Sequence, residues 1–295
     1  MANTNLPVVV GVDGAVGGMG AVVVAAAEAA ERHRPLRIVH VVDRADPALA
    51  GVPIPPVRQP PDPRRVLSDA AGVASEQRPG LLVDTQVRYG PPAITLLGIS
   101  AEACLLVVGS RGLGGFAGLL LGSTSSQVAS HARCPVMIVR GVPEPGGEVL
   151  AAVDALQPAD TVLSFAFREA ALRAVPLRAL FGWTTLRHHP HGDPFRPFVD
   201  DFEAGREEAQ RALAEVLAGW SAQFPTVKVL ADVEHTLDVA RTLVEASASA
   251  GLVIVGSHRR SDLHGVLLGS AAYALAHRSE CPVAVVHPDD RQHDV

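Results

Sequence analysis

Short apolar runs and longer amphipathic stretches alternate along the whole chain. Residues 6–12, 36–42, 81–87, 104–108 and 135–139 are brief and rich in Val, Ile and Leu, as strands buried on both faces are. Between them the periodicity predicts helices near 15–33, 62–78, 91–102 and 122–132. The second half reads the same way, with strands near 148–153, 177–183, 226–233, 251–255 and 282–286. There Asp200-Asp201-Phe202-Glu203 marks the start of a helix, because acidic side chains suit the positive end of the helix dipole. Strand and helix in strict alternation imply parallel sheets wound with right-handed crossovers, so the pattern predicts two doubly wound α/β domains.

The two halves are copies of one unit. Leu105–Ser123 reads LLVVGSRGLGGFAGLLLGS and Leu252–Ser270 reads LVIVGSHRRSDLHGVLLGS, which sets Gly109 against Gly256 and Gly122 against Gly269 at an offset of 147. Cys134-Pro135-Val136 and Cys281-Pro282-Val283 share that offset, whereas Asp13 and Asp154, or Leu36 and Leu177, lie 141 apart. The difference is an insertion between strand two and the glycine motif. The boundary falls in Gly141-Val-Pro-Glu-Pro-Gly-Gly147, whose composition suits an exposed linker, giving domains at 1–141 and 148–290.

Composition narrows the chemistry. The 295 residues are 48% hydrophobic but only 4% aromatic, so a ligand pocket must be lined by aliphatic side chains and backbone. Lys228 is the one lysine, which removes P-loop, kinase and most Schiff-base chemistry. A formal charge of −6 without a basic run argues against nucleic acid as a partner. No apolar run reaches the ~18–20 residues of a membrane helix, and no secretory leader is evident at the N-terminus. Cys104, Cys134 and Cys281 suggest neither a disulfide frame nor a zinc site, and a reducing cytoplasm fits best.

In open α/β sheets ligands bind beyond the carboxyl ends of the strands, where strand order reverses. Two loops of the first unit reach that place: Gly11-Val12-Asp13-Gly14 after strand one, and Gly109-Ser110-Arg111-Gly112 after strand four. Glycines let the backbone approach a phosphate chain closely, and Gly122-Ser123-Thr124-Ser125 opens a helix whose N–H groups and dipole favour an anion. Arg111 adds a positive charge. Competing readings remain open: the glycines serve tight turns alone, and Asp13 caps the following helix.

The G-x2-G-x9-G-[ST] spacing, after a Val-Val-Gly strand and before a Cys-Pro-Val strand, resembles the universal stress protein family, and the tandem arrangement looks like its two-domain actinobacterial-type members. The resemblance covers nearly the whole chain. It implies five parallel strands per domain in the order 3-2-1-4-5, flanked by helices, and binding of ATP with Mg²⁺. It also implies that Asp13 contacts the adenine-ribose side, that Val41 and Val42 line the base pocket, and that Gly109, Gly112, Gly122, Ser123 and Thr124 contact phosphate and ribose. Gly11, Val12, Ser110, Arg111, Gly114, Gly115 and Ser125 fall in the same loops, and Asp154, Gly256, Arg259, Gly269 and Ser270 are their counterparts in the second unit.

The second unit departs from the pattern. Ala152 replaces Gly11, Ala155 replaces Gly14, Arg259 replaces Gly112, and Ser261-Asp262 replaces Gly114-Gly115. A side chain in a left-handed conformation at the Gly112 position costs about 1–2 kcal/mol. Asp262 brings negative charge toward a triphosphate, while Arg259 and Arg260 are placed to reach one.

No residue is evidently placed as general base, Ser110 and Ser123 sit in no nucleophile elbow, and no catalytic residue is assigned; slow ATP hydrolysis is the most that is expected. No metal-binding residues are assigned either: the loop histidines His188, His189 and His191 lack helical spacing or a carboxylate between them. The proline-rich stretch from Val52 to Arg64 reads as a stiff lid or connector beside the pocket. The expected role is a cytoplasmic, homodimeric, ATP-binding sensor of the stress response, in which nucleotide orders the loops after strands one and four and changes a surface read by a regulatory partner. The alternatives are an enzyme of related fold, such as a slow ATPase or nucleotidyl transferase, and a nucleotide-free dimeric scaffold.

Overall fold

The computed structural model describes residues 6–15, 18–43, 61–110, 121–141, 146–184, 198–257 and 268–288. The proline-rich stretch up to 60, the histidine loop, and Arg111, Gly112, Gly114, Gly115 and Arg259 lie outside the described residues. The chain divides into two compact units, the first within 1–139 and the second within 140–291.

Unit 1 is built from β1 (Val8–Val12), α1 (Gly18–Glu31), β2 (Leu36–Val42), α2 (Pro63–Gln77), β3 (Val83–Tyr89), α3 (Pro92–Ser100), β4 (Leu105–Gly109), α4 (Ser123–His131) and β5 (Val136–Val139). Unit 2 repeats the order with β6 (Glu148–Ala152), α5 (Asp160–Arg173), β7 (Leu177–Trp183), α6 (Phe198–Gln223), β8 (Val229–His235), α7 (Val239–Ala246), β9 (Ala250–Gly256), α8 (Ser270–Arg278) and β10 (Val283–Val286). Within unit 1 the strands lie in the order β3-β2-β1-β4-β5, and within unit 2 the corresponding order is β8-β7-β6-β9-β10. All pairings within each unit are parallel. Both units are therefore doubly wound α/β domains of the order 3-2-1-4-5.

The central strands are apolar because helices cover both faces. Val8, Val9, Val10, Leu105, Leu106 and Val107 are fully buried. Helix α1 lies close on the sheet because its buried stripe is small, with Ala21, Val22, Ala25, Ala26 and Ala29 at helical spacing. The edge strands behave differently. The apolar run predicts β3 at 81–87, yet the strand is Val83–Tyr89, and Leu82 is 75% exposed. An edge strand half open to water carries Asp84, Gln86 and Arg88, so hydrophobicity misplaces its ends. The same holds for β8, expected at 226–233 and found at Val229–His235.

Two features recur at the duplication offsets. Glu28 and Glu169 are buried on α1 and α5, and each pairs with an arginine one turn later, Arg32 and Arg173. Ser100 Oγ donates to Leu97 O and accepts from Arg133 N–H, while Ser247 Oγ donates to Val244 O and accepts from Glu280 N–H. The inserted residues lie mainly in α6, whose 26 residues compare with 15 in α2.

Candidate functional site

In unit 1 the direction of winding reverses between β1 and β4. These strands are neighbours in register, with Val8 opposite Leu105 and Gly11 opposite Val108, so their carboxyl ends deliver Gly11-Val12-Asp13 and Gly109-Ser110 side by side. Asp13 Oδ1 accepts the Ala15 N–H at 2.9 Å, a turn of the kind Asp forms with a backbone N–H two residues on. That bond shapes the loop after β1 ahead of α1. Gly14 follows with φ +86, and a Cβ there would lie 2.9 Å from Val66 Cγ2 of α2, so only glycine fits this turn without strain. Among described non-glycine residues only His33 and Ala174 have positive φ; Ala155, the counterpart of Gly14, runs in the ordinary region, and the two loops differ in backbone course.

Helix α4 is tied to the end of β4. Gly122 N–H donates to Ser110 O at 2.8 Å, and Ser125 Oγ donates to Gly109 O at 2.6 Å. Ser125 thus positions the helix start, with its hydroxyl turned inward, while Ser123 is exposed and Thr124 half-buried at the mouth. Gly122 is the N-cap, at φ −71 and ψ 150, and no side chain caps the helix. The first intrahelical acceptor is Gly122 O, bonded by Ser126 N–H, so the N–H groups of Ser123, Thr124 and Ser125 have no intrahelical acceptor. A Cβ on Gly122 would meet nothing nearer than Ser110 O at 3.7 Å. Neither backbone conformation nor packing calls for glycine there, which distinguishes it from a glycine that only makes a turn.

On the other side of β1, half-buried Val41 and Val42 end β2, and Gly90 N–H donates to Val42 O at 3.1 Å. His40 lies among them, buried, with Nδ1 2.8 Å from Val12 O. A carbonyl only accepts, so Nδ1 carries the proton and the ring braces the strand end that leads into Asp13. Sequence reasoning passed over His40, although it is the one polar residue facing inward in a buried apolar strand.

Unit 2 keeps part of this arrangement. Asp154 Oδ1 accepts Leu156 N–H at 3.1 Å, repeating the Asp13 turn, and Gly269 caps α8 without a side-chain bond, leaving Ser270 exposed. A Cβ on Gly256 would press Val162 Cγ2 at 3.2 Å, so that glycine has a packing role. Ala272 stands where Ser125 does, without its bond to the strand. The end of the second strand has changed most. Val41-Val42 is answered by Gly182-Trp183, and a Cβ on Gly182 would lie 2.9 Å from Val239 Cγ2 of α7. Trp183 is buried against Phe202 of α6 and His235 of β8, with ring centroids 5.4 and 4.8 Å apart, and Gly205 is needed to admit its ring. The aliphatic strand end of unit 1 is an aromatic cluster here.

A family model described as the universal stress protein family matches residues 5–140 and again 147–287. The chain belongs to the universal stress protein family. A universal stress protein of Mycobacterium tuberculosis (strain ATCC 25618 / H37Rv) is 36% identical to this tandem universal stress protein over 293 residues, covering 94% of this chain and 96% of the relative. One from Mycolicibacterium smegmatis is 34% identical over 298 residues, covering 97% and 98%. Among solved structures, a functionally unknown protein from Pseudomonas aeruginosa shares the fold at a TM-score of 0.66 and 18% identity, covering 99% of this chain and 97% of that one.

Proposed function

We propose that the first domain, 1–141, binds ATP in the crevice between β1 and β4, and that the chain acts in the cytoplasm as a nucleotide-dependent sensor or regulator in the stress response. The observation that carries this reading is the start of α4, a helix N-terminus without a side-chain cap, at the point where strand order reverses. It is preceded by a glycine that the fold itself does not require. In this reading the phosphates lie on Gly109, Ser110, Gly122, Ser123 and Thr124, with Arg111, Gly112, Gly114 and Gly115 completing the cradle. Adenine and ribose lie against Gly11, Val12, Asp13, Val41 and Val42. Mg²⁺ enters on the triphosphate. Ordering of the two loops changes a surface that a regulatory protein reads, and the chain works as a homodimer that does not bind nucleic acid. Among the described residues no helix is long and apolar enough to cross a membrane.

For the second domain, 148–290, the nucleotide-free reading is favoured by a specific observation: Val239 of α7 closes over Gly182, which stands where the first domain has Val41, and Trp183, packed on the opposite face against Phe202 and His235, stands where it has Val42. Asp154, Gly256, Arg259, Gly269 and Ser270 then remain as inherited scaffold. Calorimetry with ATP, together with mass spectrometry of the purified chain, tests both domains. One adenine nucleotide per chain is expected. A folded chain that binds none overturns the nucleotide reading, and two per chain overturns the reading of the second domain. A product assay for ADP or AMP over hours reads out slow turnover.

A further inference from the structure

Strand β3 is the outer strand of unit 1. Leu36 N–H bonds to Leu82 O and Gly90 N–H to Val42 O, so the even-numbered residues of β3 turn their backbone groups toward β2. Alternation then turns the N–H and C=O of Thr85 and Val87 outward, and among the described residues no strand pairs with that side. Three side chains of β3, Asp84, Gln86 and Arg88, form a row along one face that Arg37 of β2 joins: Arg37 and Gln86 both donate to Asp84 Oδ2, at 3.1 and 2.9 Å, and Arg88 donates to Gln86 Oε1 at 2.8 Å. An acid and a base therefore stand two residues either side of Gln86, all exposed or half-exposed.

We propose that this edge joins two copies of the chain, β3 against β3 in antiparallel register about a two-fold axis at Gln86. This rests on the homodimer reading above and names its surface. In that register Thr85 of one copy faces Val87 of the other, and outward-facing residues meet as hydrogen-bonded pairs, giving about four backbone hydrogen bonds from these two positions. The even residues fall in the non-hydrogen-bonded sites, where opposed Cα atoms come within about 4.5 Å. There Asp84 of each copy meets Arg88 of the other, and Gln86 meets Gln86. Both side chains have capacity for this contact: a carboxylate accepts at two oxygens and a guanidinium carries several N–H donors. Moving the axis to Asp84 or to Arg88 sets like charges against each other, so the charges that protect a lone edge from indiscriminate pairing also select one register. Strand β8, the corresponding edge of unit 2, carries Asp232 and Glu234 with no arginine or lysine, and lacks this self-complementarity.

Sedimentation of the full-length chain across a concentration series tests the proposal. Val87→Pro removes an outward N–H without breaking the ladder to β2, a substitution edge strands tolerate. Arg88→Asp sets acid against Asp84, and the double variant Asp84→Arg/Arg88→Asp restores the pairing with its sense exchanged. The expected result is a dimer whose Kd rises about tenfold or more in Val87→Pro and in Arg88→Asp, and returns most of the way in the double variant. Val233→Pro on β8 is the matched control and leaves the dimer unchanged, with circular dichroism confirming that each variant folds. A wild-type chain that stays monomeric overturns both this inference and the homodimer reading. A dimer indifferent to Val87→Pro and Arg88→Asp, or broken by Val233→Pro, overturns this inference alone.

Discussion

Replacing Gly122 by alanine separates a phosphate cradle from a turn. Since φ is −71 and a methyl would sit 3.7 Å from Ser110 O and 3.9 Å from Ser125 Oγ, the folded chain accepts it without a clash. The remaining cost is the poorer N-cap character of alanine, at most about 1 kcal/mol, or roughly 2–4 °C in the melting of a unit this size. A phosphate lying on the first turn of α4 meets the same methyl at close range. Pressing an extra methyl into a filled contact costs about 1–3 kcal/mol, which is a fall in affinity of roughly fivefold to more than a hundredfold. Calorimetric titration with ATP, paired with a thermal melt, reads both quantities on one sample. Gly269→Ala in α8 serves as the internal control and is expected to leave nucleotide stoichiometry and affinity as they are. An intact fold with affinity within about threefold of wild type would refute the cradle and leave Gly122 unexplained.

Three further substitutions or conditions test the account of the fold around the site. Ser125→Ala removes the 2.6 Å bond to Gly109 O and is expected to destabilise unit 1 by about 1 kcal/mol while loosening the helix start; Ala272 at the matching place shows that the fold survives, so a complete loss of folding would contradict the assignment. Glu28→Ala leaves Arg32, whose side chain is only 15% exposed, without its carboxylate, and should lower stability in denaturant titrations by about 3 kcal/mol or more; a change within 0.5 of zero, on the same scale, would deny the buried pair a structural role. Burial pushes the Cys281 thiol from its ordinary 9.0 up to about 11. Its folded-state value is thus the higher one, so the stability it contributes is complete below pH 9 and is lost as pH rises toward 11. Unit 2 should weaken through that window in melts of wild type and not of Cys281→Ala, and in the folded chain Cys281 should resist thiolate-selective alkylation at pH 8.

The fold was legible because burial on both faces leaves an unbroken apolar signature in β1, β4, β6 and β9, and because duplication prints it twice. The ends of the edge strands were not, since β3 and β8 are held by backbone pairing on one side while their side chains answer to water. The Glu28–Arg32 and Glu169–Arg173 pairs had a signal that could have found them: Glu-Ala-Ala-x-Arg stands 141 positions apart in the two halves, four residues upstream of Leu36 and Leu177. At the candidate site the legible sign was the glycine that opens α4, Gly122, which neither its backbone conformation nor its packing requires. What fills the base side depends on which helix residue reaches a strand end, and Val239 closing over Gly182 joins positions far apart in sequence. The features that hold the sheet and helices together, the buried Glu–Arg pairs and the Ser100 and Ser247 bridges, are present twice, and so is the glycine N-cap. Around the crevice the halves differ at Gly14 and Ala155, Val41-Val42 and Gly182-Trp183, and Ser125 and Ala272, while buried pairs such as Val10 and Ala151 or Ile38 and Ala179 exchange one apolar side chain for another. One nucleotide per chain is the outcome expected when Val239 and Trp183 replace the open strand end of Val41 and Val42, and two the outcome if they do not, which makes stoichiometry the measurement that discriminates among the readings of this fold.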